Sequence, residues 1–401
     1  SIGESYYGKI SSLQAVVDGT NVDDKDITYE YPDDEDVFLS DYKIHKVSFP
    51  PTLSVGQTAT YSYNIDYKDI VYFPFQYLNN ADYVKDFNIT IHHPTDIQVS
   101  FDIVFPRDSV PYRIEMPDAK TTILSFAKVE KMAPINYFPF NGSRAYIQII
   151  ARRGDTLLTP TRYPEFTRWY RALFEQKPDL TPRYDTLLAT RIAAAPNNRA
   201  KVGIIHDYVR TTIRYIAEEN EMNAIVPRAP SLVLDRGYGD CKDRAYLVAS
   251  LARKYGIPNV YMALINTEPK PRFNGTHVFQ YNHVICALDE GGRVEFFDPT
   301  HKYCAFGNIP ESDIDRPAMI LNPDKPREVI VPPANTLPFV EVAINADLND
   351  PAHGKARITL RNSSLSSALR ALDELHGMDA ENKLSRIVTP NFQKISFDNF
   401  E

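Results

Sequence analysis

Apolar and polar residues alternate with a period of two along much of the first 160 residues, as in strands that bury one face. Between Ala59 and Tyr67, every odd position is apolar or aromatic and every even position is polar. Similar strand-like patterns occur at residues 87–91, 97–105, 112–116, 123–129 and 145–149. Proline and Asp/Asn turns separate these stretches without an intervening helical period. The region therefore predicts an antiparallel β-sandwich or barrel.

The apolar spacing changes to a helical period beyond Pro160. Helices are predicted around residues 164–173, over 184–194 and from Asn198, where Val202, Ile205 and Val209 form one apolar stripe. Residues 229–322 then alternate between helix and strand patterns. This mixture of elements predicts an α+β domain after the β-rich one.

The last part of the sequence returns to β patterns after a proline-rich stretch at 323–338 that resembles a linker. Alternation at 340–348 and 356–360 predicts strands, leucines at 369–375 predict a short helix, and 394–401 resembles a strand without a partner. We therefore predict three domains in an α+β protein: a β-rich domain at 1–160, a central domain at 161–325 and a C-terminal β-containing domain at 326–401. We expect the third domain to be incomplete.

Composition and charge exclude several classes of protein. The 401 residues are 43% hydrophobic and 24% charged, which is typical of a folded globular chain and not of a disordered or fibrous one. No stretch approaches the roughly 20 apolar residues that span a bilayer. The net charge of −8 disfavours broad contact with nucleic acid or an anionic membrane.

The three cysteines, Cys241, Cys286 and Cys304, are too few and odd in number for a disulfide framework. No pair has the C-x-x-C spacing of a zinc site. At least one thiol must therefore be free, so each cysteine is a candidate for chemistry or for plain burial.

Cys241 is predicted to occupy the first position of a helix that ends at Gly256. Asp240 is suited to be its N-cap and Asp243 to be the reciprocal capping residue three positions later. The helix N-terminus favours a thiolate at Cys241, and its amides are suited to bind an oxyanion. The two aspartates oppose this effect, so a cationic partner is needed to make the thiolate dominant.

Residues 282–299 have the pattern of a β-hairpin, and they supply that partner. With the turn centred on Glu290 and Gly291, the register sets His283 directly opposite Asp298 on one face. A carboxylate there would orient the imidazole and stabilise its charged form. Cys241 as nucleophile, His283 as base and Asp298 as orienting acid form a set for acyl transfer through a thioester.

Plainer interpretations exist for each of these residues. Cys241 is also compatible with a small buried residue, and Cys286 and Cys304 with core positions. Asp240 and Asp243 fit caps better than catalysts, and His277 and His301 remain fallback bases. A Cys–His–Asp metal site is chemically conceivable, but no fourth ligand is indicated. We therefore predict neither a metal nor a cofactor.

The motifs resemble those of the bacterial transglutaminase-like superfamily: Gly-Asp-Cys241-Lys-Asp, Tyr-Asn-His283 and Phe-Phe-Asp298-Pro-Thr. The resemblance covers roughly residues 198–300. It implies a papain-like α+β core with a Cys-His-Asp triad at Cys241, His283 and Asp298. The β-rich region before it resembles an uncharacterised domain that often precedes such cores in exported bacterial proteins. A periplasmic or otherwise exported location is implied by this resemblance alone.

Family members crosslink, deamidate or hydrolyse amides, so the resemblance implies amide chemistry on a protein or peptide substrate. Water and amine acceptors use the same residues, and the sequence leaves transferase and peptidase both open. The alternative is a non-catalytic binding or assembly module. In that case the aromatic β domains would grip a protein, a glycan or another cell-envelope component, and the transglutaminase-like core would be a scaffold.

Overall fold

The computed structural model describes residues 2–31, 37–49, 54–78, 83–105, 109–130, 145–175, 180, 186–268, 275–332, 339–346 and 354–361. The predicted short helix at 369–375 and the final strand at 394–401 lie outside these residues, as does part of the proline-rich stretch. No helix among the described residues is long and apolar enough to cross a membrane.

The N-terminal region consists of short strands in antiparallel sheets. The strands are β1 (Ile2–Glu4), β2 (Gly8–Val17), β3 (Thr20–Asn21), β4 (Ile27–Glu30), β5 (Val37–Ser40), β6 (Lys43–Val47), β7 (Ala59–Tyr67), β8 (Gln76–Tyr77), β9 (Val84–His92), β10 (Ile97–Val104), β11 (Tyr112–Asp118), β12 (Thr121–Val129), β13 (Tyr146–Arg153) and β14 (Thr156–Leu157). Their orders are β1-β6-β4, β3-β2-β7, β11-β12-β9 and β10-β13-β14, with β8 also paired to β13. Every strand stretch predicted from the sequence before residue 150 forms a strand.

Two of these sheets share an apolar core, as expected of a sandwich. Leu124 and Phe126 of β12 and Ile147 of β13 are buried in one cluster with Leu78. Phe87 and Ile89 of β9, with Phe101 and Ile103 of β10, pack against the same cluster. The predicted β-sandwich-like N-terminal part is therefore confirmed.

The N-terminal strands contact the central region at several points. Strand β5 pairs in parallel with β16 (Ala217–Glu219), the Tyr7 hydroxyl donates to the Met222 carbonyl at 2.9 Å, and His277 Nε2 lies 3.1 Å from the Phe73 carbonyl. These contacts link residues about 200 positions apart. The boundaries predicted between domains remain predictions.

The central region packs helices on one face of a five-stranded sheet. The helices are α1 (Tyr163–Ala172), α2 (Thr186–Ala193), α3 (Asn198–Thr212), α4 (Pro230–Arg236) and α5 (Cys241–Lys254). The sheet, in spatial order, contains β20 (Arg293–Phe297), β19 (His283–Glu290), β18 (Val260–Ile265), β21 (Pro317–Ile320) and β22 (Arg327–Ile330). A two-stranded pair joins β15 (Arg214–Tyr215) to β17 (Tyr238–Gly239). The predicted mixed α and β architecture is confirmed.

Helix α5 lies at the centre of this region. Its first twelve residues, from Cys241 to Ala252, are all buried, and its apolar side chains share one cluster with α3, β18 and β19. On the opposite face of the sheet, Ile285 and Ile320 pack with Ile309 and Val331 of the following loops. Burial on every side holds the start of α5 rigidly against the face of the sheet formed by β18 and β19.

The C-terminal described residues form one antiparallel pair of strands, β23 (Phe339–Ala346) and β24 (Gly354–Arg361). Both coincide with the alternation that predicted strands after the proline-rich stretch.

Candidate active site

Cys241 is the first residue of α5, as predicted, and it is 8% exposed. The Asp240 side chain accepts from the Asp243 amide at 3.3 Å, and the Asp243 side chain accepts from the Asp240 amide at 3.2 Å. This reciprocal capping box ends the chain's extended approach through β17. Gly239 must lack a side chain because a Cβ there would lie 2.8 Å from that of Asp243.

The two aspartates beside Cys241 are each paired with a buried cation. Lys242 Nζ lies 2.6 Å from Asp240, and Arg228 donates to Asp243 at 2.8 Å and to Glu218 at 2.7 Å. Burial raises the pKa of Asp240 to about 6, with Lys242 acting in the opposite direction, so the carboxylate is still charged at neutral pH. Lys242 and Arg228 therefore balance the negative charge of the two aspartates, which would otherwise oppose a thiolate at Cys241.

His283 and Asp298 lie together: Nε2 of the imidazole is 3.1 Å from Oδ2 of the carboxylate. The predicted register was nevertheless wrong by two residues. Strand β19 pairs Glu290 with Arg293, and the same ladder runs to Cys286 and Phe297. The turn is Gly291-Gly292, because both residues adopt positive φ, at 64° and 107°, as a tight hairpin turn requires.

This correction explains why the pair still forms. Continuing the ladder by one residue places Asp298 across from Ile285, two positions from His283. A shift of two residues keeps both side chains on the same face of the sheet, whereas a shift of one would separate them. Asp298 also lies just past the end of β20, where its side chain can reach diagonally to the imidazole.

Asp298 is held as a carboxylate by several donors. Oδ1 accepts from the Thr300 amide at 2.8 Å, and Oδ2 accepts from the Thr300 hydroxyl at 2.8 Å in addition to contacting His283. Burial alone would raise the pKa of Asp298, but the His283 charge, its hydrogen bond and the Thr300 amide outweigh it and lower the pKa. His206 also lies 3.1 Å from the Asp298 carbonyl oxygen and fixes the backbone.

The imidazole joins the other two side chains. Burial disfavours charged His283, but the charge and hydrogen bond of Asp298, followed by a hydrogen bond with Cys241, raise its pKa well above the usual value. The structure therefore brings together the sulfur, imidazole and carboxylate that the sequence singled out. An imidazole in this position can exchange a proton with the sulfur.

The other cysteines and histidines differ in their surroundings. Cys286 is fully buried and donates to the Ala245 carbonyl at 3.6 Å, and burial raises its pKa well above the usual value. Burial raises the pKa of Cys304 to about 12. His277 bonds to the N-terminal region, and burial lowers its pKa to about 4. His301 remains near the site, since its charge acts on Asp298.

Three further residues contribute to the site without any signal in the sequence. Buried Arg244 donates to the carbonyls of Thr300 at 2.8 Å, Arg210 at 3.1 Å and Ile213, which ties the loop after Asp298 to the end of α3. Tyr215, on the strand paired with β17, is 40% exposed. Buried Asp313 belongs to a loop that covers the opposite face of the sheet. Arg244 is close to Cys241 along α5, whereas Tyr215 and Asp313 come from distant parts of the chain.

Desolvation of its phenol, followed by the negative charges of Cys241 and Asp240, raises the pKa of Tyr215 above its usual value. Its hydroxyl therefore stays protonated and able to donate a hydrogen bond at neutral pH.

Among the residues that the structure describes, one group of donor atoms has the composition of a cation site. An imidazole nitrogen of His283 and carboxylate oxygens of Asp298 and Asp313 lie within 4.8 Å of one another. His283 and Asp298 already hydrogen-bond directly, so a cation would have to break that bond. The donor geometry therefore fits a shared proton better than a metal ion.

The central residues match a known family. Residues 186–292 match the sequence model of the transglutaminase-like superfamily. No curated protein matches the chain. Among solved structures, the chain resembles that of a "putative protease" from Parabacteroides distasonis, with a TM-score of 0.57 and 16% identity over 83% of this chain. At 16% identity the likeness concerns the fold alone, and the chain spans 64% of that protein's length.

The match and the mixed α and β fold lead to one assignment: residues 186–292 form a domain of the transglutaminase-like superfamily.

Proposed function

We propose that the protein is a cysteine enzyme that attacks amide bonds of a protein or peptide through a thioester on Cys241. The observation that carries this proposal is the buried His283–Asp298 pair, joined at 3.1 Å, whose imidazole also interacts with Cys241 at the start of a buried helix. A sulfur, a base and an orienting carboxylate are the parts that nucleophilic acyl transfer needs.

In the proposed first half-reaction, the Cys241 sulfur attacks the amide carbonyl carbon and forms a carbon–sulfur bond. Protonated His283 gives its proton to the leaving nitrogen as the carbon–nitrogen bond breaks, which releases an amine and leaves a thioester. Asp298 holds the imidazole in position and stabilises its charged form throughout.

In the second half-reaction, water or a second amine attacks the thioester carbon. Neutral His283 takes the proton of the incoming nucleophile, and the carbon–sulfur bond breaks to restore the Cys241–His283 pair. Water yields a carboxylic acid, through peptide hydrolysis or glutamine deamidation, and an amine yields a crosslink. The name of the Parabacteroides distasonis protein favours hydrolysis, although the likeness to it is one of fold.

Two donors are suited to the oxyanion that forms on the carbonyl oxygen. The first is the backbone amide of Cys241, which the N-terminus of α5 leaves outside the helical ladder. The second is the Tyr215 hydroxyl, which lies in the electrostatic field of Cys241 and stays protonated. We assign Tyr215 as the side chain that completes the oxyanion site.

The test is amide turnover by the wild-type protein and by two cysteine variants. Purified protein is offered mixed peptides containing glutamine and lysine, and mass spectrometry separates cleavage, deamidation and crosslinking. Cys241→Ala should abolish all three reactions, while Cys304→Ala, a matched change at another buried thiol, should leave them unchanged. Turnover by the Cys241→Ala protein would overturn the proposal.

The exposed tyrosines of the N-terminal sheets favour a second candidate function. Tyr29 is 60% exposed, Tyr31 56% and Tyr61 51%, and such rings are suited to gripping a protein or a glycan. In that case the binding partner would be retained by a Cys241→Ala protein, and removing these tyrosines would release it. The Cys241→Ala variant then tests catalysis, and the tyrosine variants test binding of the partner.

A further inference from the structure

Asp313 is a carboxyl group that the proposed reaction does not use, yet it is completely buried next to the residues that do. It ends a short 3-10 turn at Glu311–Asp313, on the side of the sheet away from α5. One carboxyl oxygen of Asp313, one of Asp298 and one ring nitrogen of His283 all lie within 4.8 Å of one another. The question is therefore whether the Asp313 carboxyl group is ionised or protonated at this position.

The hydrogen bonds of the two aspartates are unequal. Asp298 accepts two bonds from Thr300 and contacts the His283 imidazole. Asp313 accepts one bond, from the Ser312 hydroxyl at 2.8 Å, and its buried Oδ2 accepts none from the described part of the chain. Two adjacent buried carboxylates do not both ionise readily, so the better-solvated one keeps the charge and the other keeps a proton.

A proton on Asp313 satisfies both groups. It turns the unpartnered Oδ2 of Asp313 into a donor, and the Asp298 carboxylate is an acceptor whose oxygens can each take more than one hydrogen bond. An oxygen of each carboxyl group lies within 4.8 Å of one of the other, with no residue needed between them.

We propose that Asp313 is a fourth, positioning member of the site: protonated, it donates a hydrogen bond to Asp298 and holds that carboxylate against His283. This inference rests on the proposed function for its consequence, because the imidazole that Asp298 orients is the base for Cys241. Asp313 itself does not touch the reacting atoms.

Burial, followed by the negative charge of Asp298, raises the pKa of Asp313 to about 7, with His283 acting in the opposite direction. Other charged or titratable groups also face the pair: His301 and Arg244 act on Asp298, and Cys304 faces Asp313. Above neutral pH, Asp313 would ionise, the hydrogen bond would be lost and the two carboxylates would repel each other.

Histidine NMR tests this directly. The His283 ring signal, identified by its loss in His283→Gln, is followed from pH 5.5 to 8.5. In the wild type it should show an inflection near pH 7, where Asp313 ionises. Asp313→Asn, which keeps a donor but cannot ionise, should lose the inflection, and exposed Asp315→Asn should keep it. An inflection that survives in Asp313→Asn, or none in the wild type, would overturn the proposal.

Alkylation of Cys241 at pH 6 provides the functional measurement. We expect Asp313→Asn to react within about twofold of the wild type and Asp313→Ala, which has no donor, to react about tenfold more slowly. Equal rates for Asp313→Ala and the wild type would contradict a positioning role. The NMR result does not depend on the reactivity of the Cys241 sulfur. If wild-type Cys241 proved unreactive, that result would count against the proposed function. The NMR titration would still decide whether Asp313 donates a hydrogen bond to Asp298.

Discussion

Helix α5 and strand β7 show how differently two parts of this chain use their polar residues. The first twelve residues of α5 are buried, including Lys242, Asp243 and Arg244, and the cations and carboxylates among them are paired with other protein groups. Strand β7 leaves five consecutive residues exposed, among them Tyr61 and Tyr63. Buried, paired charges can hold reactive groups in a fixed geometry, whereas exposed residues offer a surface for contacts. The proposed chemistry therefore belongs to the region around α5.

The largest effect on activity short of removing Cys241 is expected from Asp298→Asn. The imidazole would lose the carboxylate that orients it and stabilises its charge, so turnover should fall on the order of 10³-fold or more. Initial rates on a peptide amide substrate measure the loss. A fall of less than tenfold would contradict the orienting role of Asp298.

The same variant should change how stability depends on pH. The pKa of Asp298 is lowered in the folded state, so its contribution is present above about pH 4 and is lost as pH falls further. The pKa of His283 is raised, so its contribution is complete below about pH 6.5 and is lost as pH rises through the folded value. Urea unfolding of Asp298→Asn should therefore show its greatest loss between these limits.

Next in size is the contrast between a buried and an exposed arginine. Arg228→Ala leaves buried Asp243 without its cation, which should lower the free energy of unfolding by about 3–5 kcal/mol. Arg113→Ala breaks the exposed pair with Glu115, and its effect should stay below about 1 kcal/mol. Urea denaturation of the two variants compares the regions directly. Equal losses would refute the distinction drawn between them.

A smaller effect on turnover is expected from Tyr215→Phe. Loss of one oxyanion donor should lower kcat about 10²-fold, while Cys241 alkylation, which forms no oxyanion, should be unchanged. Tyr238→Phe is the matched control, since Tyr238 lies on the adjacent strand and its hydroxyl accepts from Arg236. A parallel fall in alkylation would assign Tyr215 to the packing of the site instead.

The smallest effect is expected in the N-terminal sheets. Replacing the exposed, stacked Tyr61 and Tyr63 by serine should change the free energy of unfolding by less than about 1 kcal/mol and leave Cys241 alkylation unaltered. Thermal melting and mass spectrometry measure the two quantities. A slower reaction of Cys241 in this double variant would show that the sheets act on the site.

Local patterns in the sequence predicted the elements well because they depend on neighbouring residues. The alternation at 59–67 coincides with β7, and the capping residues Asp240 and Asp243 identified the start of α5. The hairpin register was wrong by two because either Glu290-Gly291 or Gly291-Gly292 fits the turn, and the backbone angles decide. Cys241, His283 and Asp298 were predicted as a site from the helix start, the hairpin pattern and the family motifs, and their catalytic roles stay predictions.

Contacts that depend on the fold left no such trace. Arg228 precedes α4 in the sequence and Asp243 follows it, 15 positions later. No periodic pattern in the sequence marks this ion pair. Asp313 comes from a loop beyond the hairpin and reaches Asp298 only because that loop covers the open face of the sheet. Long-range electrostatic partners of this kind are set by packing, which the sequence encodes only collectively.

The most direct test of the central claim is the alkylation rate of Cys241 by iodoacetamide at pH 6, measured by mass spectrometry beside Cys304 and an unstructured cysteine peptide. A thiolate paired with charged His283 should react faster than the peptide thiol at this pH, and Cys304, held neutral by burial, should react far more slowly. A Cys241 rate equal to or below that of the peptide would contradict an activated nucleophile at the start of α5.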